Sequence, residues 1–162
     1  MDRQDNGRGL PTVEELTDLV EQALADARER GASACEAAAN ASQGLSVKVR
    51  QGETDTLEHM RDRGLAVSVY FGQRKGEASS ADYSPGAIRE TVAAACEIAR
   101  HTSEDPCSGL ADAALMAREV PDLDLYHPWR LSADDAIEIA RETEQAALGV
   151  DPRLSNSEGA EV

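Results

Sequence analysis

Three histidines, His59, His101 and His127, are the side chains of this sequence best suited to hold a catalytic metal ion. A zinc peptidase places two histidines one helical turn apart, with a carboxylate nearby, so that both imidazoles reach one ion. The histidines here lie far apart in the sequence and on different predicted elements, and the chain has no H-E-x-x-H motif. The spacing therefore predicts no metal site in this chain.

A nucleophilic site is also not indicated. The sequence has no G-x-S-x-G elbow and no Walker spacing, and its 31 acidic residues make chance carboxylate pairs inevitable. Cys107 lies in a predicted loop and could pair with His101 or His127, but a loop cysteine is usually only a small residue. We therefore predict no catalytic residue, and a small thiol enzyme using Cys107 stays open as an alternative.

Composition narrows the classes of protein further. The net charge is −15 and the pI about 4.5, so the surface repels phosphate backbones and anionic lipids, and we expect neither nucleic-acid nor membrane binding. No charged-then-apolar signal follows Met1, which favours the cytoplasm. The three cysteines are scattered without a C-x-x-C pair, which predicts reduced thiols.

The predicted helices and strands indicate an α+β domain. Residues 1–11 are polar and predicted to be a disordered tail, and Thr12 with Glu15 forms a capping box that opens a first helix closed by Gly31. Alternation predicts strands at 35–41, 45–50 and 65–71, and turns at Gln51–Gly52 and Gly72–Gly76 predict further strands after them at 53–62 and 77–82. Short links between them indicate an antiparallel β-meander of about four to five strands.

Two more helices follow the strands. Ser84–Pro85 opens the second, and Ser132 caps a third whose apolar stripe is predicted to be Ala136, Ile137, Ala140, Ala147 and Leu148, ending at Gly149. Prolines keep residues 102–131 mostly in loops. We expect three helices on one face of the sheet, a domain over 12–150, and the start of a strand at 151–162 that leads into a missing C-terminal domain.

The sheet offers the candidate binding surface. Ser46, Lys48, Arg50, His59 and Tyr70 are polar or amphipathic side chains on predicted strands, and we take them as peptide-binding candidates. An exposed strand edge can bind an extended peptide through main-chain hydrogen bonds. Residues 44–75 carry six basic and four acidic side chains within an otherwise acidic chain. This stretch is either a contact surface or a set of cross-strand ion pairs.

Several ordered segments resemble a known family, the TldD/PmbA family of zinc-dependent peptidase complexes. The first group is Gly44–Val47, Arg50, Gly52–Glu53, Gly64–Tyr70, Arg74–Gly76, Ala78–Ser80 and Asp82. The second group, closer to the PmbA-like (TldE) subunit, is Ile98–Arg100, Thr102, Asp105–Cys107, Gly109, Ala111–Asp112, Pro121–Leu125, His127–Pro128, Ala136–Glu138, Glu144, Ala146–Leu148, Asn156 and Glu158–Gly159. The likeness runs from about Thr12 to the end.

The resemblance implies an N-terminal domain of a PmbA/TldE-like subunit. It implies a cytoplasmic complex that degrades or trims unfolded peptides, in which a TldD-like partner subunit holds the catalytic zinc and this chain holds no cofactor. The family is also labelled a modulator of DNA gyrase. A non-enzymatic adaptor that mediates subunit association only is the alternative, and charge reversal at Lys48 and Arg50 separates the two.

Overall fold

The computed structural model describes residues 9–125, 127 and 129–162. Its elements, in chain order, are α1 (Val13–Glu29), β1 (Ala34–Arg50), β2 (Glu53–Phe71), β3 (Arg74–Ser80), α2 (Pro85–His101), a 3₁₀ turn (Ala113–Leu115), α3 (Ala133–Leu148) and β4 (Ala160–Glu161). Within the described residues the strands form one sheet in the order β3-β2-β1-β4, with β3 antiparallel to β2 and β4 antiparallel to β1. The predicted α+β class with an antiparallel sheet is confirmed.

The chain divides into two compact units. Unit 1 comprises the described residues up to Ser42 together with Asp62–Arg118, and unit 2 comprises Gln43–Arg61 together with Glu119–Val162. The long strands β1 and β2 each contribute residues to both units. Of the predicted tail, residues 1–8 lie outside the described residues, and 9–11 precede α1.

Local signals explain the ends of the helices in unit 1. Thr12 and Glu15 form the predicted capping box, and Gly31 follows the last turn of α1 with φ +84°, a conformation that glycine adopts without strain. Ser84 caps α2, and Pro85 occupies its first turn, where the missing amide hydrogen costs nothing. All of these were predicted from the sequence.

A single apolar core holds unit 1 together. Alternate residues of β2 point into it and pack against α1 and α2, and its fully buried members are Ala23, Ala27, Leu65, Val67, Val69, Ile88, Val92, Ala95 and Cys96. Cys35, Ala37 and Ala39 of β1 pack against this cluster, as their alternation predicted. Gly76 of β3 lies so close to α2 that a Cβ there would stand 2.1 Å from the carbonyl oxygen of Ala95.

Unit 2 is built around the end of β1 and the helix α3. Val47 and Val49 of β1 pack against Ala136 and Ala140 of α3, and Leu45, Leu131, Ile137, Ala160 and Val162 lie around them. Ser132 caps α3 in a capping box with Asp135. The short strand β4 pairs with β1 at Lys48 and Val49, and the backbones of Val162 and Val47 exchange two hydrogen bonds of 2.9 Å.

Several sequence-based boundaries were wrong. The strands expected at 35–41 and 45–50 are one continuous strand, as are those at 53–62 and 65–71, because polar residues and glycine in their middles do not break the backbone ladder. The strand expected at 77–82 begins at Arg74, since only Gly72–Gln73 form the turn. In α3, Ala147 was predicted to belong to the apolar stripe but is exposed, and Glu144 is buried instead.

None of the helices in the described residues has the length and apolar character needed to cross a bilayer.

Candidate functional site

Three of the five predicted peptide-binding residues share one face of unit 2. Val47 and Val49 point toward α3, and side chains alternate along a strand, so Ser46, Lys48 and Arg50 point to the opposite side. This side of β1 carries the polar members of an alternating pattern that was recognisable in the sequence. We refer to it, with the residues of β2 added below, as the outer face of unit 2.

Each of these three side chains has a partner within unit 2. The hydroxyl of Ser46 donates a 2.8 Å hydrogen bond to Glu161 of β4, and Nε of Arg50 donates a 3.2 Å bond to the carbonyl oxygen of Ser157. The ammonium of Lys48 lies 3.8 Å from the carboxylate of Asp55 on β2. Cross-strand ion pairing, one of the two explanations of the near-neutral stretch 44–75, is therefore present.

Two residues of β2 join the same face. Asp55 lies on the outer side because it contacts Lys48. Gly44 lies there too, since its neighbour Leu45 packs toward α3, and a Cβ on Gly44 would stand 3.4 Å from Cε of Met60, which is 49% exposed. His59 is exposed, and its role in peptide binding stays a prediction. The outer face of unit 2 therefore consists of Ser46, Lys48 and Arg50 from β1, Asp55 and Met60 from β2, and Glu161 from β4.

Tyr70, the fifth candidate, lies in unit 1. It is only 3% exposed, its hydroxyl lies 3.4 Å from a carboxylate oxygen of Glu36, and the ammonium of Lys75 lies 5.8 Å from the centre of its ring. Burial, followed by the charge of Glu36, raises the pKa of its hydroxyl. A role for Tyr70 in peptide binding stays a prediction, and its surroundings are those of a packed side chain.

The described contacts of the histidines are to single acidic side chains and not to a set of metal-ligating residues. His101 lies 3.6 Å from Glu97, its neighbour on α2, and His127 lies 3.8 Å from Asp124. Among the described residues, no three His, Cys, Asp or Glu side chains are placed to hold one ion. The expectation that zinc belongs to another subunit stays a prediction.

The cysteines are free thiols. Burial raises the pKa values of Cys35 and Cys96, so neither thiol is readily deprotonated to the reactive thiolate. Cys107 is exposed in a tight turn, where its amide donates a 2.9 Å hydrogen bond to Asp105. No histidine contact to Cys107 accompanies this turn in the part of the chain that the structure describes.

One buried polar residue was missed by the sequence analysis. Glu144 of α3 is 2% exposed, and its carboxylate accepts hydrogen bonds from the backbone of the β1–β2 turn and from Ser157. The hydroxyl of Ser157, followed by the amides of Gly52 and Gln51, lowers the pKa of this carboxyl. Its spacing of four from Ala140 was the signal that could have placed it on the inner side of α3.

Comparison with known proteins agrees with this fold. Residues 35–99 match the family described as PmbA/TldA metallopeptidase domain 1. The chain is 47% identical over 153 residues to Metalloprotease PmbA of Escherichia coli O157:H7, covering 93% of this chain and 34% of that protein. It is 48% identical over 147 residues to the Metalloprotease PmbA homolog of Haemophilus influenzae, covering 91% of this chain and 32% of the homolog.

Solved structures share the architecture. A Bacteroides thetaiotaomicron protein assigned as a modulator of DNA gyrase superposes with a TM-score of 0.76 at 27% identity, over 88% of this chain and 32% of that one. TldE from Thermococcus kodakarensis superposes with a TM-score of 0.65 at 18% identity, over 83% and 30% of the two chains, which supports the fold alone.

The chain belongs to the PmbA/TldD family and is a PmbA/TldE-like member of it. It spans about a third of the length of the curated relatives that it matches.

Proposed function

We propose that this chain is the N-terminal, peptide- and partner-binding domain of a PmbA/TldE-like subunit. In this proposal the subunit belongs to a cytoplasmic TldD/TldE-type metallopeptidase complex that degrades or trims unfolded peptides. The TldD-like subunit holds the catalytic zinc, and this chain supplies no ligand to it. The name of the relatives, Metalloprotease PmbA, supports the link to proteolysis, and the third of their length covered here supports the role of a domain.

The outer face of unit 2 is the observation that carries peptide binding. It combines the cationic Lys48 and Arg50 of β1, whose other side packs against α3, with the partly exposed Met60 of β2. An unfolded peptide with alternating acidic and apolar side chains complements such a surface, because carboxylates meet the cations while a leucine covers Met60. Tyr70 is not part of this face.

The ion pairs already present do not prevent this use. Lys48 and Asp55 are 37% and 49% exposed and 3.8 Å apart, and such surface pairs contribute about 0–1 kcal/mol. Exchanging the carboxylate of Asp55 for that of a peptide therefore costs little. Arg50 uses Nε in its bond to the carbonyl oxygen of Ser157, and a guanidinium has a planar fork of N–H donors whose geometry suits a carboxylate.

Charge reversal tests the proposal. In the K48E/R50E variant we expect the affinity for a fluorescein-labelled, unstructured Asp/Leu-alternating peptide to fall at least tenfold in fluorescence anisotropy. The control is R89E, which reverses an exposed cation on α2 in unit 1. Co-purification of the same variants with a TldD-like subunit is measured in parallel and should not change.

The possible results distinguish a peptide-binding domain from an adaptor that mediates subunit association only. Loss of peptide affinity with subunit association intact supports substrate handling. Unchanged peptide affinity in K48E/R50E refutes it and leaves the adaptor that mediates subunit association only. Chelator-sensitive proteolysis by the 162-residue chain alone would contradict the assignment of zinc to the partner.

A further inference from the structure

Glu144 is a buried carboxylate that holds the turn between β1 and β2. Its two oxygens accept 2.8 Å hydrogen bonds from the amides of Gln51 and Gly52, and the hydroxyl of Ser157 donates to the first of them. Gln51 and Gly52 have φ values of +53° and +78°, the left-handed pair of a tight hairpin turn, and both amides point at α3. A buried carboxylate is tolerated because these donors compensate for its lost hydration.

The same cluster fixes the segment that leads into β4. The hydroxyl of Ser157 accepts a 3.0 Å bond from the amide of Gly159 while it donates to Glu144. The side-chain amide of Gln51 donates a 3.2 Å bond to Asn156. Gly159 has φ +98°, and a Cβ there would stand 2.6 Å from the carbonyl oxygen of Val49, so the segment approaches β1 as closely as glycine permits.

Two residues of the outer face of unit 2 depend on this segment. The carbonyl oxygen of Ser157 accepts the bond from Nε of Arg50, and Glu161, four residues further on, accepts the bond from Ser46. Glu144 itself lies on the α3 side and does not belong to the outer face. A continuous chain of hydrogen bonds therefore runs from Glu144 through Ser157 to Arg50.

We infer that Glu144 is a positioning residue for the outer face of unit 2, acting through Ser157 to fix the guanidinium of Arg50. The effect of Glu144 on peptide affinity rests on the proposed function, whereas the positioning of Arg50 is a property of unit 2 with or without a peptide. A fixed guanidinium loses less freedom when a peptide carboxylate binds it, so orientation raises affinity. If the carboxylate of Glu144 only stabilised unit 2, its replacement would lower peptide affinity by the same factor with and without Arg50.

Double-mutant cycles distinguish these two roles. Glu144→Gln keeps the side-chain shape but replaces one acceptor oxygen by a donor, and Ser157→Ala removes only the hydroxyl that links Glu144 to the segment. Each is combined with Arg50→Ala, and affinity for the labelled Asp/Leu peptide is measured below the melting temperature of every variant. The matched control is Glu142→Gln, an exposed glutamate on the same helix.

We expect Ser157→Ala and Glu144→Gln each to weaken binding about three- to tenfold when Arg50 is present, and to have no further effect in the Arg50→Ala background. Equal losses in both backgrounds, or no loss in either, would overturn the positioning role. If Glu144→Gln does not fold, the Ser157→Ala cycle decides the matter alone.

An NMR readout keeps this inference separate from the proposed function. The Nε–Hε resonance of Arg50 reports its bond to Ser157 without any peptide. It should shift in Glu144→Gln and Ser157→Ala and stay in place in Glu142→Gln. If the native chain binds no peptide but the resonance shifts as expected, the proposed function fails and the positioning stands. An unchanged resonance refutes the positioning.

Discussion

The two units stabilise their strands in different ways. Unit 1 buries Leu65, Val67, Val69, Ile88 and Val92 in one apolar cluster. Unit 2 has only two fully buried valines and two alanines in its cluster, and it adds the carboxylate of Glu144 with its three donors. The comparison indicates that a small apolar core can be supplemented by a satisfied buried polar network, which is directional and so also fixes geometry.

The largest expected effect tests the close packing of unit 1. Gly76→Val should destabilise the chain by about 4 kcal/mol or more, above the usual 1–3 kcal/mol for overpacking, since its Cβ meets backbone atoms of Ala95 and Ala99 that cannot move separately. Urea unfolding followed by circular dichroism measures this loss. Gly86→Ala, at a site with open space around it, is the control and should be close to neutral.

A core truncation compares apolar burial in the two units. Leu65→Ala in unit 1 should cost about 3 kcal/mol, because it removes a fully buried side chain and leaves a cavity. Val49→Ala in unit 2 removes a smaller group and should cost about 1–2 kcal/mol. Both values come from chemical denaturation. Equal losses would contradict the view that unit 1 relies more heavily on its apolar cluster.

Acid should weaken the polar network of unit 2. The pKa of Glu144 is lowered from its ordinary value of 4.5 by the hydroxyl of Ser157 and then by the turn amides, so the charged form is favoured in the folded state. Its stabilisation is therefore fully present above pH 4.5 and lost as the pH falls through the lowered value. Amide hydrogen exchange at Gln51 and Gly52 should accelerate there, relative to the intrinsic rate, in the native chain.

Glu144→Gln isolates this contribution. The pKa values of Asp135 and Asp151, also in unit 2, are lowered by neighbouring hydrogen bonds, so acid acts on them as well. The difference in turn-amide protection between the native chain and Glu144→Gln should shrink as the pH falls below 4.5. A difference that is constant over this range would show that ionisation of Glu144 does not hold the turn.

The smallest expected effect concerns the outer face of unit 2. A double-mutant cycle of Lys48→Met and Asp55→Asn should give a coupling of about 0.5 kcal/mol, decreasing with added salt, since both partners are exposed. Thermal unfolding at low and high salt measures it. A coupling above about 2 kcal/mol would mean that the pair is structural and unsuited to exchange with a peptide carboxylate.

Much of the secondary structure was predictable because its signals are local. Thr12 with Glu15 and Ser84 with Pro85 marked helix starts through hydrogen bonds and backbone angles set by neighbouring residues. The extent of the strands was not predictable, since a polar middle around Gln43 and Gly44 resembles a turn until a partner strand extends it.

In the candidate site, too, some features follow from local sequence and others from strand pairing. Alternation alone put Ser46, Lys48 and Arg50 on one side of a strand, because side-chain direction along a strand is a local property. That Asp55 of β2 shares their face, while Tyr70 is buried in unit 1, depended on which strands pair and on how the chain divides.

The sequence by itself determined the helix caps, the hairpin turn at Gln51–Gly52 and the inward side of the strand segments 45–50 and 65–71, because each depends on residues a few positions apart. Only the tertiary structure decided that Glu144 is buried and that Ser157 connects it to Arg50. The bonds from Gln51 to Glu144 and from Arg50 to Ser157 join residues 93 and 107 positions apart, and a hydrogen bond over that separation depends on the packing of whole elements, which no local pattern encodes.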